Sequence, residues 1–533
     1  MNCDTGPRTS SWRVARSGWA MVIGCSRCGV MLLPRRCNGG TKQQLQTYKC
    51  RIASFYGGSS GFAKFATYLA VQFSLSKAME VPLIDRALTM PRLRIAVALL
   101  LASLVALHAQ MYKPLSFTEY TLPNGLHVIF RQDRTAPVVT TVLWYRVGSR
   151  YEAPGRTGFA HFFEHLMFEG TDSLQRGEIS KLIQQAGGEL NAFTSFDQTV
   201  YHMRVPSNAL PLALWIESQR MRGLKIDTIG VETQRGVVKE ERKMRYENSP
   251  YGVWNIRMFE RLFAQSPYSW TPIGASQHID SAAIAEFRQF YDTYYVPNNA
   301  VLVISGDFSE TEARKLVDLY FGFQPPGPPP RRDSLQIPPL RGEIRDTIFD
   351  PKAQLPAVFI GYRTVPEGHT DSYALQMLMD ILANGESSRM YRALVDRAQV
   401  AVQSSVFPYE LEKVGAAIMV GVAAPGRSID TVEHMMYAVI DSVIAHGVTE
   451  AEFAKARNIA ESRFIADKKG TYPTALALAR AYAFFENTEL VNTEMQRFYS
   501  VRREDLQRVA KKYFGTPNRV VLTFIPSQAK EGN

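Results

Sequence analysis

The stretch Gly158-Phe-Ala-His161-Phe-Phe-Glu164-His165-Leu-Met-Phe contains no proline, and its glycine stands at the first position. This composition allows a helix, which is predicted over 158–169. His161 and His165 are four positions apart, so both imidazoles project from one face of that helix. The aromatic and aliphatic residues around them predict that the other face packs into a core.

Two imidazoles at this spacing can share one zinc ion, and Glu164 lies beside them without having to bind the metal. From there Glu164 can take a proton from water and pass one to a leaving amine. The order H-x-x-E-H is the inverse of the usual zincin order. The alternative is a pair of histidines on an ordinary amphipathic helix, but imidazoles and a carboxylate buried together are costly without a cation.

A zinc site needs a third protein ligand and leaves a fourth position for water. The helical pattern at 231–247 offers four candidate carboxylates, at Glu232, Glu240, Glu241 and Glu247. Charge and spacing do not show which of the four carboxylates is the third metal ligand. For each of them the alternative is a solvated helix face, which is the usual place of such a charge run.

The charge of the chain is concentrated at its N-terminal end. The 533 residues include 61 basic and 50 acidic residues, of which twelve and three lie in 1–89. The remainder is close to neutral, which argues against a nucleic-acid partner. All five cysteines lie in the first 50 residues, so disulfides and thiol catalysis are excluded from the rest.

A second plausible start occurs inside the chain, at Met90. Arg92 and Arg94 precede an apolar run of 13 residues at 95–107, which is the pattern of a secretory signal peptide over 90–109. The run is too short to span a bilayer, so no stable membrane span is expected after its removal. We expect 1–89 to be an upstream extension and the protein to be periplasmic or extracellular. Alternatively, 1–89 is a transit peptide and the protein is mitochondrial.

The rest of the chain is predicted to be α+β, with two related α/β-sandwich-like domains. A proline-rich linker at 323–342 separates a catalytic zinc-binding domain, 110–322, from a second domain, 343–526, followed by a tail at 527–533. The pairs Pro297-Asn298 and Pro517-Asn518 each stand between a helical pattern and a β-rich run. This internal sequence similarity favours a duplication.

Three stretches together resemble the pitrilysin/insulinase family of zinc peptidases, and they lie at 158–171, 187–194 and 235–241. The sequence is most similar to the short-chain branch that includes the mitochondrial processing peptidase and its bacterial relatives. The resemblance covers about 115–525. It implies two domains that form half of a clamshell around a closed chamber, one zinc ion per chain, and Glu241 as the third ligand. It also implies that a substrate peptide adds as a strand at Asn191, Ala192 and Thr194.

Two positions depart from the family pattern. Gln234 stands where many members have a second acidic residue near the metal. Active single-unit members also carry an Arg and a Tyr that grip the substrate, after a helix that begins with a pair like Ser388-Arg389. Here those two positions are Val395 and Val402.

We therefore expect a zinc endopeptidase that acts as the catalytic subunit of a heterodimer. Its partner would be a related chain that lacks H-x-x-E-H and carries the Arg and the Tyr. The alternatives are a catalytically silent structural subunit of the same fold, and an unrelated binding protein with a fortuitous histidine pair.

Overall fold

A run of β-branched and aromatic residues from Val138 to Tyr145 forms a buried strand near the middle of the first sheet. The computed structural model describes residues 114–329 and 335–527, together with two short paired strands at Met21–Val22 and Met31–Leu32. Apart from those two strands, the predicted extension and signal peptide lie outside the described residues. The middle of the linker and the tail after residue 527 also lie outside them.

The first half of the body contains a six-stranded sheet. In chain order its strands are β1 (Thr118–Thr121), β2 (His127–Gln132), β3 (Val138–Tyr145), β4 (Glu189–Thr194), β5 (Thr199–Pro206) and β6 (Ala300–Gly306). Their order across the sheet is β1-β2-β6-β3-β5-β4. Strands β2 and β6 run parallel, and the other neighbours are antiparallel.

The helices of this half are α1 (Phe159–Leu166), α2 (Glu178–Gln185), α3 (Leu210–Arg222), α4 (Thr228–Arg242), α5 (Trp254–Leu262), α6 (Ser276–Asp280), α7 (Ile284–Tyr294) and α8 (Glu310–Phe321). Helix α4 continues into a π-helical turn, Lys243–Glu247. Helices α1 and α4 therefore occupy the positions that the histidine motif and the charged stretch predict.

The second half contains a five-stranded sheet with β7 (Ile344–Asp350), β8 (Ala357–Thr364), β9 (Ala401–Glu410), β10 (Gly415–Ala423) and β11 (Arg519–Pro526). Its helices are α9 (Thr370–Ala383), a π-helix (Tyr391–Arg397), α10 (Ile429–His446), α11 (Glu450–Ala466), α12 (Thr471–Phe485), α13 (Leu490–Ser500) and α14 (Arg503–Tyr513). The strand order is β9-β10-β8-β11-β7.

The two sheets share one topology. Without β1, the first sheet reads β2-β6-β3-β5-β4, and the second reads β7-β11-β8-β10-β9 when each is followed from its parallel pair. In both sheets the first pair is parallel and the other pairs are antiparallel. The predicted α+β class with two related halves is confirmed.

The internal similarity lies at equivalent places of the two halves. Before β6, the side-chain nitrogen of Asn299 donates to the carbonyl of Tyr294 at 2.9 Å. Before β11, the side-chain nitrogen of Asn518 donates to the carbonyl of Tyr513 at 2.7 Å. In both halves an asparagine thus makes the same bond to the last residue of the preceding helix.

Each sheet is covered on its second face by a helix from the other half. Leu478 and Ala479 of α12 are fully buried with Val142 and Val303 of the first sheet. Helix α5 packs in the same way on the second sheet through Met258, Phe259 and Leu262, against β8, β10 and β11. Gly361 of β8 marks the closeness of this contact, because a Cβ there would lie 2.3 Å from the sulfur of Met258. Helix α5 has no counterpart among the predicted elements.

Among the described residues, no helix combines the length and the apolar character that a membrane crossing requires.

We expect Leu478→Ala to lower the free energy of unfolding by about 2–5 kcal/mol, because it opens a cavity between α12 and the first sheet. Urea denaturation followed by tryptophan fluorescence measures the change. The control is Leu319→Ala on α8, where the side chain is 62% exposed, and its expected change is within about 0.5 kcal/mol. Equal losses of unfolding free energy in the two variants would contradict the packing of α12 on the first sheet.

Candidate metal centre

Helix α1 begins after Gly158, whose φ of +97° lies in the left-handed region that favours glycine. The backbone N–H groups of Gly158 and Ala160 donate to the carboxylate of Glu152 at 2.8 and 2.9 Å. On the apolar side, Phe162 stacks on Phe287 of α7 with ring centroids 4.7 Å apart. These contacts fix the start and the rotation of the helix, which leaves its polar residues facing α4.

His161, His165 and Glu241 converge between α1 and α4. The Nε2 atoms of His161 and His165 lie 3.4 and 3.1 Å from the same carboxylate oxygen, Oε2 of Glu241. One ligand atom from each residue lies within 4.8 Å of the others. Two imidazole nitrogens with one carboxylate oxygen are a common donor set for zinc, so these residues fit the metal. Hydrogen bonds from His161 and then His165 hold the pKa of Glu241 well below its usual range, so the carboxylate is ionised.

The other three candidate carboxylates lie away from the imidazoles. They pair with basic residues of α4 and its extension: Glu232 with Arg235, Glu240 with Lys243 and Glu247 with Arg242. The geometry thus selects the same carboxylate that the family resemblance implies. Arg245, one helical turn after Glu241, binds its second oxygen at 3.0 Å.

Glu164 is half-buried on α1, next to His165. It makes no hydrogen bond or ion pair with any residue in 114–329 or 335–527. Its negative charge is close enough to raise the pKa of the buried Tyr201 and Tyr295, for which burial is the larger cause. A carboxylate without a fixed partner is free to exchange a proton with water or with a substrate.

Strand β4 contains Asn191, Ala192 and Thr194 and forms one open edge of the first sheet, because it pairs only with β5. The Ala192 side chain packs against the core that includes α1. The Ala192 N–H donates to the side-chain oxygen of Asn191 at 2.9 Å. The edge predicted to receive a peptide therefore lies beside α1, the helix of the two histidines, and its N–H at residue 192 points away from β5.

Comparison with known proteins shows the family of this chain. A family model described as "Insulinase (Peptidase family M16)" matches residues 127–258, and one described as "Peptidase M16 inactive domain" matches residues 282–460. The chain belongs to peptidase family M16. The first matched range includes both histidines, Glu164 and Glu241.

Relatives and solved structures agree with this M16 assignment. The chain is 29% identical over 416 residues to the zinc protease PqqE of Helicobacter pylori, which spans 77% of this chain and 92% of that protein. It is 25% identical over 420 residues to the probable mitochondrial-processing peptidase subunit beta of Arabidopsis thaliana, covering 76% of this chain and 78% of that protein. The crystal structure of a protease from Helicobacter pylori covers 77% of this chain and 100% of its own, with 27% identity and a TM-score of 0.74.

In this M16 chain Gln234 does not contact the three converging residues. Its side-chain nitrogen donates to Glu169, which lies just after α1 and also binds Arg176 at 2.9 Å. Arg176 in turn binds Asp227, whose side chain caps the start of α4 by accepting from the Gly230 N–H at 2.8 Å. Gln234 thus ties α4 to the segment that follows α1.

The two clamp positions lie in the second half. Val395, on the π-helix, packs against the second core, and Val402, on β9, is 49% exposed. Arg389 at the start of this helix is held by Glu452 through two hydrogen bonds of 2.7 and 2.8 Å. The substituted positions therefore offer aliphatic surface where many family members have hydrogen-bond donors.

A buried ion network near the site was not anticipated from the sequence. Arg150 binds Asp197, in the turn after β4, at 2.6 Å and also binds Glu412 of the second half. The Tyr268 hydroxyl donates to Asp197 at 2.7 Å, and the Glu412 N–H donates to it at 2.9 Å. The sequence signal is Arg150, a charged residue five positions after the end of the buried strand β3.

We expect Gln234→Glu to lower the free energy of unfolding at neutral pH by about 1–3 kcal/mol, because two carboxylates would then face each other at Glu169. The loss should shrink as the pH is lowered, since protonation of one carboxylate removes the repulsion. Urea denaturation at several pH values measures this. The control is Gln289→Glu, an exposed position on α7. A loss at neutral pH no larger than that of the control would contradict the role of Gln234.

Proposed function

We propose that this chain is a zinc-dependent endopeptidase that hydrolyses peptides or unfolded polypeptides inside a closed chamber. His161, His165 and Glu241 would hold one zinc ion per chain. The proposal depends on one observation, the convergence of both Nε2 atoms on Oε2 of Glu241 at 3.4 and 3.1 Å. Relatives named zinc protease support the choice of metal. When bound, zinc supplies Lewis-acid chemistry at the peptide carbonyl.

Glu164 is the proposed catalytic residue. Its carboxylate accepts a proton from the attacking water and then delivers it to the nitrogen of the leaving amine. The half-buried position beside His165 and the lack of a partner among the described residues support this role. An ion pair at Glu164 would stabilise the charged form and make proton return slower.

The open edge of β4 is the proposed binding site for the peptide backbone. A substrate strand paired with Asn191, Ala192 and Thr194 would extend the first sheet and lie along the metal-binding helix. The Ala192 N–H would exchange its bond to Asn191 for a bond to the substrate carbonyl. Main-chain pairing of this kind depends little on the side chains of the substrate.

The substituted clamp supports a heterodimer. Val395 and Val402 cannot donate hydrogen bonds from their side chains, so a related chain that lacks H-x-x-E-H would supply the Arg and the Tyr. The same substitutions favour the second candidate function, a catalytically silent subunit of this fold. Against that candidate stands the complete set of ligands together with Glu164.

Export to the periplasm or the exterior is also part of the proposal, on the basis of the apolar run at 95–107. Sequencing the N-terminus of the natural protein tests it, and a mature end before residue 90 would speak against it.

We expect Glu164→Gln to reduce turnover of a fluorogenic peptide by about 10²–10⁴-fold, because the amide cannot accept the proton. The zinc content, measured by atomic absorption, should stay at the wild-type level. The matched control is Glu240→Gln, an exposed position on α4, which should leave both turnover and zinc content unchanged.

Glu241→Gln should give a different pattern, because it replaces the shared carboxylate by a neutral amide. We expect this variant to lose zinc and, with the metal, its turnover. Wild-type turnover in Glu164→Gln, or retained zinc in Glu241→Gln, would contradict the assignment of the two carboxylates.

We expect the purified chain alone to cleave long peptides slowly and to gain activity when a clamp-bearing related chain is added. The cleavage rate at increasing ratios of the two chains, with the mass of the complex from light scattering, measures this. Full activity of the single chain at all concentrations would rule out the heterodimer.

A further inference from the structure

Glu152 is a buried carboxylate with 5% of its surface exposed, and no basic side chain in the described residues pairs with it. Its oxygens accept instead from N–H groups: Gly158 at 2.8 Å, Ala160 at 2.9 Å and the indole of Trp270 at 3.1 Å. Burial raises the pKa of Glu152 to about 8, and the N–H donors act in the opposite direction. A carboxylate in this environment is costly, so its position calls for a reason.

The place of Glu152 in the fold suggests that reason. Two of its donors belong to the first turn of α1, where the free N–H groups and the helix dipole favour a negative charge. Ala160 is the residue directly before His161. The hydrogen bonds to Glu152 therefore fix the end of the helix from which the first imidazole projects.

The third donor connects α1 to the other side of the site. The same indole N–H of Trp270 also donates to the carbonyl of Ser149 at 2.9 Å, and Trp270 is the first residue of the segment 270–274. In this segment Gly274, with φ of +63°, lies against the start of α1, and a Cβ there would be 2.4 Å from the Gly158 nitrogen. The carbonyl of Gly274 accepts from Arg242 of α4. Arg242 is the residue directly after Glu241.

We infer that Glu152 is a positioning residue, which together with Trp270 and Gly274 sets the separation between the helix of the two histidines and the helix of Glu241. The inference rests on the proposed function, because it assumes that these three residues bind zinc. Glu152 does not touch them. It acts through the first turn of α1 on one side and through the 270–274 segment on the other.

The test measures zinc affinity of the full chain by competition with a chromophoric chelator, and the free energy of unfolding of the metal-free chain by urea. In Glu152→Gln, an amide NH₂ would face backbone N–H groups. We expect zinc affinity to fall about 10- to 100-fold, the usual effect of losing a residue that orients metal ligands. Glu152→Asp keeps a carboxyl group whose oxygens can accept from the N–H donors, and it should recover part of the affinity.

The matched control is Glu433→Gln. Glu433, on α10 of the second half, is buried to the same extent as Glu152, and it pairs with Arg345 of β7 at 2.7 Å. This substitution should destabilise the metal-free chain without changing zinc affinity. It separates a general loss of stability from a displacement of the ligands.

If Glu152→Gln does not fold, Trp270→Phe decides the question, because it removes the indole N–H and keeps an aromatic ring at this position. We expect a three- to tenfold loss of zinc affinity, smaller than the loss when all the donors are affected. A zinc affinity within twofold of wild type, in Glu152→Gln or in Trp270→Phe where only that variant folds, overturns the inference. A wild-type chain that binds no zinc would instead refute the proposed function.

Discussion

The burial of both faces of both sheets is the constraint on which this fold depends. The helices of each half cover one face of their own sheet, and the second face is covered by α12 in the first sheet and by α5 in the second. Exposure of either face would cost about 25 cal/mol for each Å² of apolar surface. Each half therefore depends on the other for its stability, although each repeats the same strand order.

This mutual dependence extends to the metal centre. Helix α5 follows α4 after the short π-helical turn Lys243–Glu247, so its attachment to the second sheet also anchors the end of α4 at Glu241. From the other direction, the Arg150–Asp197–Glu412 network ties the turn after β4 to the second half. The position of the ligands is thus a property of the whole body and not of the first half alone.

The local chemistry could be read from the sequence, because helix periodicity fixes which residues share a face. His161, Glu164 and His165 need only the geometry of one helix, and the structure brings them to the predicted place. Glu241 could not be chosen by periodicity, because Glu240 and Glu241 differ only in how α4 is rotated against α1. That rotation is set by contacts such as those of Arg242 with Gly274, which are distant in sequence. The packing partner of helix α5 could not be read from the sequence for the same reason, since the strands β8 and β11 begin only at Ala357 and Arg519. The ion network of Arg150, Asp197 and Glu412 could not be predicted for a different reason. In a sequence, a single Arg or Asp is expected to be solvated unless its buried partner is known.

An unpaired sheet edge such as β4 is a hazard, because it can pair with the edge of another molecule. The side chain of Asn191 covers the Ala192 N–H with an internal hydrogen bond, as a temporary substitute for a neighbouring strand. The donor and the acceptor of this hydrogen bond belong to adjacent residues, so the bond can break and form again through a rotation of the Asn191 side chain alone. The Ala192 N–H is in this way already paired, so at this position the edge offers one free donor fewer to another strand.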